Sequence, residues 1–329
     1  MLDTVILSFF NHCRKARSST LYHFLIGKRT QSVLVYGYFY EILRFFGILP
    51  KLKQETYQKI IEAHIKNGNL ESFENEVRLT EKGSRQLQNF SLQNYPFINQ
   101  EAYAKIDEQS FRLFLLAVQV MSHVSYHSNQ YIPVENTPFY TLQVKKWFQT
   151  VKLTHFKEEL CILLERLPQA QADMLARQFS GYQVYGKTLQ QLSEKDVLFQ
   201  FFEQKNLIHQ VLRLAHEFQS FNQLLMLYKK ETSAKKTWVM IDNGKSLAEI
   251  ASLRRVKPST IQDHFIERAL FDENFEFKNF YPQKRNAHDF TQEEIIRLKV
   301  SDLEELQGDF LAFRLLQIDW LREKRNGDS

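Results

Sequence analysis

Apolar residues recur at intervals of three and four along most of the chain, the spacing of one helix face. In "KQETYQKIIEAHIKNG", Tyr57, Ile60, Ile61, His64 and Ile65 fall on one side, and Gly68 supplies a stop. In "EAYAKIDEQSFRLFLLAVQVMSHVSYH", Ile106, Phe111, Phe114, Leu115, Val118, Met121 and Val124 share a face in the same way. Period-two alternation meets a two-residue turn in one place. Leu70 and Phe73 lead into Glu74-Asn75, and Val77 and Leu79 alternate with charges beyond it. The pattern predicts an all-α (mainly α) protein with one small β-hairpin at Leu70–Leu79.

Three segments emerge. Residues 1–90 read as helices, the hairpin and a last helix capped by Thr80, the order of a winged-helix-like unit. Within it, Ser18 or Ser19 is the expected N-cap of "SSTLYHFLIG". "QSVLVYGYFYEILRFFGILP" reads as one helix closed by Gly47 and Pro50. Residues 91–232 read as helical throughout, broken by a loop holding Pro133 and Pro138, with "FYTLQVKKWFQTVKLTHFKEELCILLERLP" as one long helix or two short ones. The polar, basic run "KKETSAKK" (Lys229–Lys236) is the linker candidate, and residues 233–329 form the last domain.

Composition narrows the function classes. At 329 residues the chain has room for two or three domains of roughly 100–200 residues. Glycine is scarce, at 10 residues, whereas parallel-sheet proteins spend it in turns and phosphate loops. A net charge of +5 permits nucleic-acid binding without demanding it, because acidic residues nearly match basic ones. Cys13 and Cys161 form no CxxC pair, which suits a reducing cytoplasm, and Cys161 in "EELCILLERL" reads as a core thiol. The longest apolar run, Leu113–Met121, is far below the ~20 residues a membrane span needs. No export signal is visible, so a cytoplasmic location is expected.

Two segments fit nucleotide-binding patterns. "GYQVYGKT" (Gly181–Thr188) matches G-x-x-x-x-G-K-[ST], and "WVMID" (Trp238–Asp242) matches the apolar strand ending in a magnesium-binding Asp. A phosphate loop needs a strand before it, and "LPQAQADMLARQFS" is made of helix formers. The expected role of the loop is an inter-helix turn, with Thr188 capping the next helix. His123 and His127 sit at i, i+4, yet no third ligand follows at a suitable spacing. No nucleophile–base–orienter set is visible, so the expectation is a non-enzymatic protein without cofactor or metal.

"GKSLAEIASLRRVKPSTIQDHFIERAL" (Gly244–Leu270) carries the most information. Ser246 caps a short helix, a turn "LRRVK" follows, and Pro258-Ser259 open a second helix. Ala251, Val256 and Ile261 have the spacing a helix-turn-helix needs for its inner face. The outward positions are then Lys257, Ser259, Gln262 and Asp263, with Ile266 at the margin. Arg254, Arg255 and Lys257 are placed to meet phosphates. Arg255 stands where a turn glycine is usual, and Asp263 and Glu267 would repel a phosphate backbone.

This segment resembles the helicase-type helix-turn-helix at the C-terminus of many RecQ helicases, and "SDLEELQGDFLAFRLLQIDWLREKR" is similar to the helical tail that follows it there. "SSTLYHFLIGKRTQSVLVYGYFYEILRFFGILP" resembles the opening of the YpbB-type proteins of low-GC Gram-positive bacteria, stand-alone proteins that pair with a separate RecQ-type helicase. The resemblance implies a non-catalytic DNA-binding helper of a RecQ-type DNA helicase. Under it "WVMID" is the helix leading into the motif, with Trp238 and Ile241 packed inward. The alternatives are a scaffold or regulator whose helix-turn-helix binds a protein, and, more weakly, a transcriptional regulator.

Overall fold

The computed structural model describes residues 2–11, 17–73, 76–87, 90–225, 233–277, 280, 289–303, 306 and 308–327. Among these the protein is mainly helical, with eighteen α-helices and one two-stranded antiparallel sheet. The sheet pairs Leu70–Phe73 with Glu76–Leu79 in the register Leu70↔Leu79, Phe73↔Glu76. The hairpin therefore stands where the alternation places it, although its Glu74-Asn75 turn lies outside the described residues. No described helix is long and apolar enough to cross a membrane.

The contacts group the chain into two compact units that cut across the three segments read from the sequence. One comprises Met1–Lys15 and Gln58–Lys229, the other Ala16–Tyr57 and Lys230–Ser329. The reason is long-range packing that periodicity cannot reveal. Helix Gln31–Phe39, near the start of the chain, packs on helix Pro258–Phe271, near its end.

In the first unit the central element is helix Asp107–Ser125. Helices Pro138–Phe148, Val197–Ala215 and Gln219–Leu225 pack against it. Phe114, Phe156 and Phe221 meet ring to ring in the core, each almost wholly buried. Burying such a side chain stabilises by about 1.5–3 kcal/mol. A buried polar hub fixes the register of the bundle. The Nδ1 of His209 accepts from the Asn99 backbone N–H at 2.9 Å, so Nε2 carries the proton and donates to Asp107 at 3.0 Å. Lys205 binds the same Asp107 oxygen at 2.5 Å. Burial pushes the Asp107 carboxyl up, but the hydrogen bonds from His209 and Lys205 outweigh it and hold the group below its ordinary value.

Of the two readings for residues 139–168, one long helix or two short ones, the structure takes the second, with helices Pro138–Phe148 and Leu153–Glu165. The helix after Thr188 ends at Leu192, and Asp196 caps the next one, which starts at Val197, through the Leu198 N–H at 2.9 Å. Thr80 caps its helix as expected, accepting from Gly83 at 3.1 Å. Cys161 does not pack into the core. It is exposed, because the buried face of its helix runs through Phe156 and Leu163. Cys13 lies outside the described residues.

In the second unit, helix Ser18–Leu25 begins at Ser18 itself. The capping position falls on Arg17, which makes no side-chain cap bond. The next helix stops at Phe39, short of the expected end, because Glu41 takes a left-handed backbone (φ 58°). Gly27 and Gly47, both at positive φ, bring two backbone turns into contact; a Cβ on Gly27 would sit 3.1 Å from the Gly47 Cα. The terminal helix Phe310–Gly327 binds the unit together through arginines. Arg322 donates to the Ala269 and Asp272 carbonyls, and Arg325 to those of Tyr38 and Phe39. Each thereby satisfies the last carbonyls of another helix.

Candidate nucleic-acid interface

Three helices of the second unit form a helix-turn-helix: Ser233–Asp242, Leu247–Arg254 and Pro258–Phe271. Only Ser233–Lys236 of the expected linker is described, and it is the first turn of the first helix. Asp242, Asn243 and Gly244 make the turn out of that helix, with Gly244 at φ 74°. The Trp238 indole, half-buried like Ile241, donates to the His264 carbonyl at 2.9 Å.

Ser246 opens the second helix as expected. Its hydroxyl accepts from the Glu249 N–H at 3.3 Å, and the Glu249 carboxylate accepts from the Ser246 N–H at 2.7 Å. This reciprocal cap starts a helix of only eight residues. The helix ends at Arg255 in the left-handed region (φ 52°, ψ 45°), where the Arg255 and Val256 N–H groups bond back to Ser252 and Ala251. Pro258 then takes the first position of the third helix, where its missing N–H costs nothing.

The inner face is held by Ile250 and Ile261, both fully buried, with Ala251 and Val256 half-buried. Beneath them runs a polar chain. Arg254 donates to the Thr237 hydroxyl and, at 2.7 Å, to Ser233. Thr237, its oxygen occupied by the guanidinium, donates its own proton to His264 Nδ1 at 2.7 Å. Burial pushes the His264 pKa below its ordinary value and the Arg254 charge adds to the shift, so the imidazole is neutral.

The third helix is covered over most of its length. Its buried residues include Phe265, Ile266 and Glu267. Glu267 takes Arg29 at 2.7 Å, and Arg268 binds Asp242 at 2.6 Å and Asp272 at 3.2 Å. The surface left open is the turn and the first helical turn beyond it.

The five residues singled out from the sequence separate accordingly. Arg255, Lys257 and Ser259 are exposed together at that open end, and Gln262 is half-buried beside them. Arg254 is turned inward, engaged by Thr237 and Ser233. Ile266, placed at the margin of the outward face, is buried, because helix Pro258–Phe271 is packed from several sides. Asp263 is exposed and acidic at the edge of the patch. Glu267 does not face outward, since Arg29 neutralises it inside the unit. Sequence reasoning missed Arg29, Thr237 and His264. For Arg29 there was no signal to find, since its partner lies 238 residues away.

The segments that match nucleotide patterns have other geometry. Helix Gln169–Ala176 precedes Gly181, so the strand that a phosphate loop needs is replaced by a helix. Gly181 and Val184 pair their backbones in a tight turn. Gly186 is pressed against the Gln178 carbonyl, and Thr188 caps a four-residue helix. His123 is buried against Tyr131, while His127 lies past the helix end. Among the described residues no group of three His, Cys, Asp or Glu could hold a metal ion.

Comparison with known proteins agrees with this geometry. Residues 233–308 match a family described as a helix-turn-helix domain. The chain is also similar to Protein YpbB of Bacillus subtilis (strain 168), at 23% identity over 297 residues, which cover 84% of each chain. No solved structure matches.

Proposed function

We propose that the protein is a non-enzymatic accessory factor that binds DNA through the open end of its helix-turn-helix and works beside a RecQ-type DNA helicase. One observation carries the DNA contact. Arg255 and Lys257, exposed and without a partner among the described residues, flank the first turn of the third helix, where Ser259 is presented. In helix-turn-helix proteins the N-terminal residues of that helix meet base edges while flanking cations meet phosphates. Arg254 is left out of the contact set because it stabilises the motif from within. With two phosphate-facing cations and Asp263 nearby, binding is weak, with non-specific dissociation constants on the order of 10⁻⁴–10⁻⁶ M at physiological salt. The helicase partnership rests on the sequence resemblance at both ends of the chain. It is tested by mixing the protein with a purified RecQ-type helicase on forked DNA. A shared complex supports it, and independent elution with unchanged unwinding overturns it.

A second reading has its own observation. Val239, Leu247 and Leu253 are exposed on the first two helices, Leu253 at 60%. Under this reading the module docks a protein instead of DNA. DNA affinity that is independent of Arg255 and Lys257 favours it.

A further inference from the structure

The loop that imitates a phosphate loop lies in a different unit from the helix-turn-helix, and it builds an aromatic surface. Tyr131 stacks on His123 at 4.1 Å between ring centroids. His123 meets Tyr182 edge-on at 6.0 Å, and Tyr182 stacks on Tyr126 at 4.7 Å. Four rings thus form a continuous ladder from the end of helix Asp107–Ser125 into the turn. The Ser122 hydroxyl accepts from the Tyr182 N–H at 3.1 Å, and Gly181 fits against the same side chain, which fixes the turn to the helix. At the open end Tyr126 is 63% exposed, and three residues beyond Tyr182 the Tyr185 ring is 92% exposed.

Exposed apolar residues that cluster, as Tyr126, Val184 and Tyr185 do about this turn, mark interaction sites more often than scattered ones. The charges nearby indicate what covers these. Arg177 and Lys187 are adjacent, because the Lys187 N–H donates to the Arg177 carbonyl at 2.8 Å. Both side chains are exposed and have no partner among the described residues. Segments 119–134 and 174–193 carry these two cations with His123 and His127; of the carboxylates bordering them, Glu135 is held by Arg112 and Thr137 and Asp173 by Gln169, while Glu194 lies beyond Ser193. Stacking faces beside unpaired cations match a single-stranded nucleic acid. Bases stack on the rings without regard to sequence while the cations follow the backbone.

We infer that Tyr126, Tyr182 and Tyr185, with Arg177 and Lys187, form a binding platform for single-stranded nucleic acid, separate from the helix-turn-helix. The inference does not depend on the DNA contact proposed for that motif.

The test is fluorescence anisotropy of the full chain with labelled oligo(dT) of about 20 nucleotides, long enough to cover such a site. It is run in an Arg255→Ala/Lys257→Ala background so that the helix-turn-helix does not contribute. Tyr185→Ala and Tyr126→Ala each weaken binding about 5-fold or more, and Tyr185→Phe, which keeps the ring, leaves it unchanged. Arg177→Gln with Lys187→Gln flattens the log–log salt slope by about 1.4, at ~0.7 per single-strand phosphate contact. Tyr185 is solvated, so its replacement leaves the unfolding curve in place and isolates the binding effect. Failure of the background protein to bind oligo(dT) at low salt, or equal affinity with and without the Tyr185 ring, overturns the proposal.

Discussion

The hydroxyl of Thr237 donates to Nδ1 of His264 across 2.7 Å and links the first helix of the helix-turn-helix to the third. The bond needs an unprotonated Nδ1, and the depressed pKa of the buried ring provides it. The unfolded chain takes up a proton at His264 below about pH 6.5, where the folded chain does not. Stability from this group is therefore complete above that pH and is lost as pH falls toward the folded pKa. His209 in the first unit, depressed chiefly by burial, acts in the same direction. Thermal unfolding followed by circular dichroism from about pH 8 to pH 5 should show a falling midpoint. His264→Gln should reduce the pH dependence, whereas a midpoint that rises on acidification contradicts the assignment.

Arg255 should give opposite signs in two measurements. Its left-handed backbone costs a side-chain-bearing residue about 1–2 kcal/mol, which glycine does not pay, although glycine loses about 0.5–1 kcal/mol through its freer unfolded chain. Arg255→Gly should thus raise stability by roughly 0.5–1 kcal/mol in urea unfolding while weakening DNA binding. Lower stability would show that the Arg255 side chain supports the fold.

These two residues also mark what could be read from the sequence. The strain at Arg255 was legible, because an arginine stood where a turn glycine is usual, and so was the Ser246 cap, a serine standing ahead of a helical run. The hairpin was legible because only there does alternation flank a two-residue turn. Arg254 was not, since side-chain direction at a helix end depends on what lies beneath it, and Thr237 and Ser233 belong to another helix. Cys161 misled because its neighbours in sequence are apolar, whereas at helical spacing it shares a face with Lys157, Glu158 and Glu165, which is turned outward. The grouping of residues 16–57 with the C-terminal region rests on contacts such as Arg29 with Glu267, which leave no local pattern.

That ion pair has a consequence for dissection of the chain. Glu267 is mostly buried and Arg29 partly so, and Glu267→Ala should destabilise the second unit by about 1–3 kcal/mol. A fragment beginning at residue 233 would also lose the helix Gln31–Phe39 that packs on Pro258–Phe271. Size-exclusion and chemical unfolding of that fragment should show an expanded or aggregating species. A cooperative unfolding transition equal to that of the full chain would refute the dependence.

The loop at 181–188 should invert the logic of a phosphate loop. A Cβ on Gly186 would lie 2.2 Å from the Gln178 carbonyl oxygen, so Gly186→Ala should cost about 1–3 kcal/mol by overpacking. Lys187→Ala should leave stability unchanged and alter no magnesium-dependent ATP turnover. Loss of such turnover in the Lys187 variant would revive a nucleotide site.

Fluorescence anisotropy with a forked duplex over a salt series shows whether DNA meets the open end of the helix-turn-helix through Arg255 and Lys257. Each phosphate contact contributes about 0.9 to the log–log salt slope. Arg255→Ala/Lys257→Ala should flatten the slope by about 1.8 and weaken binding at every salt concentration. Arg254→Ala should act by destabilising the motif, visible in unfolding, with little effect on the slope measured at low temperature. Unchanged affinity and slope in the Arg255/Lys257 variant would contradict the account and leave the helix-turn-helix as a protein-docking module.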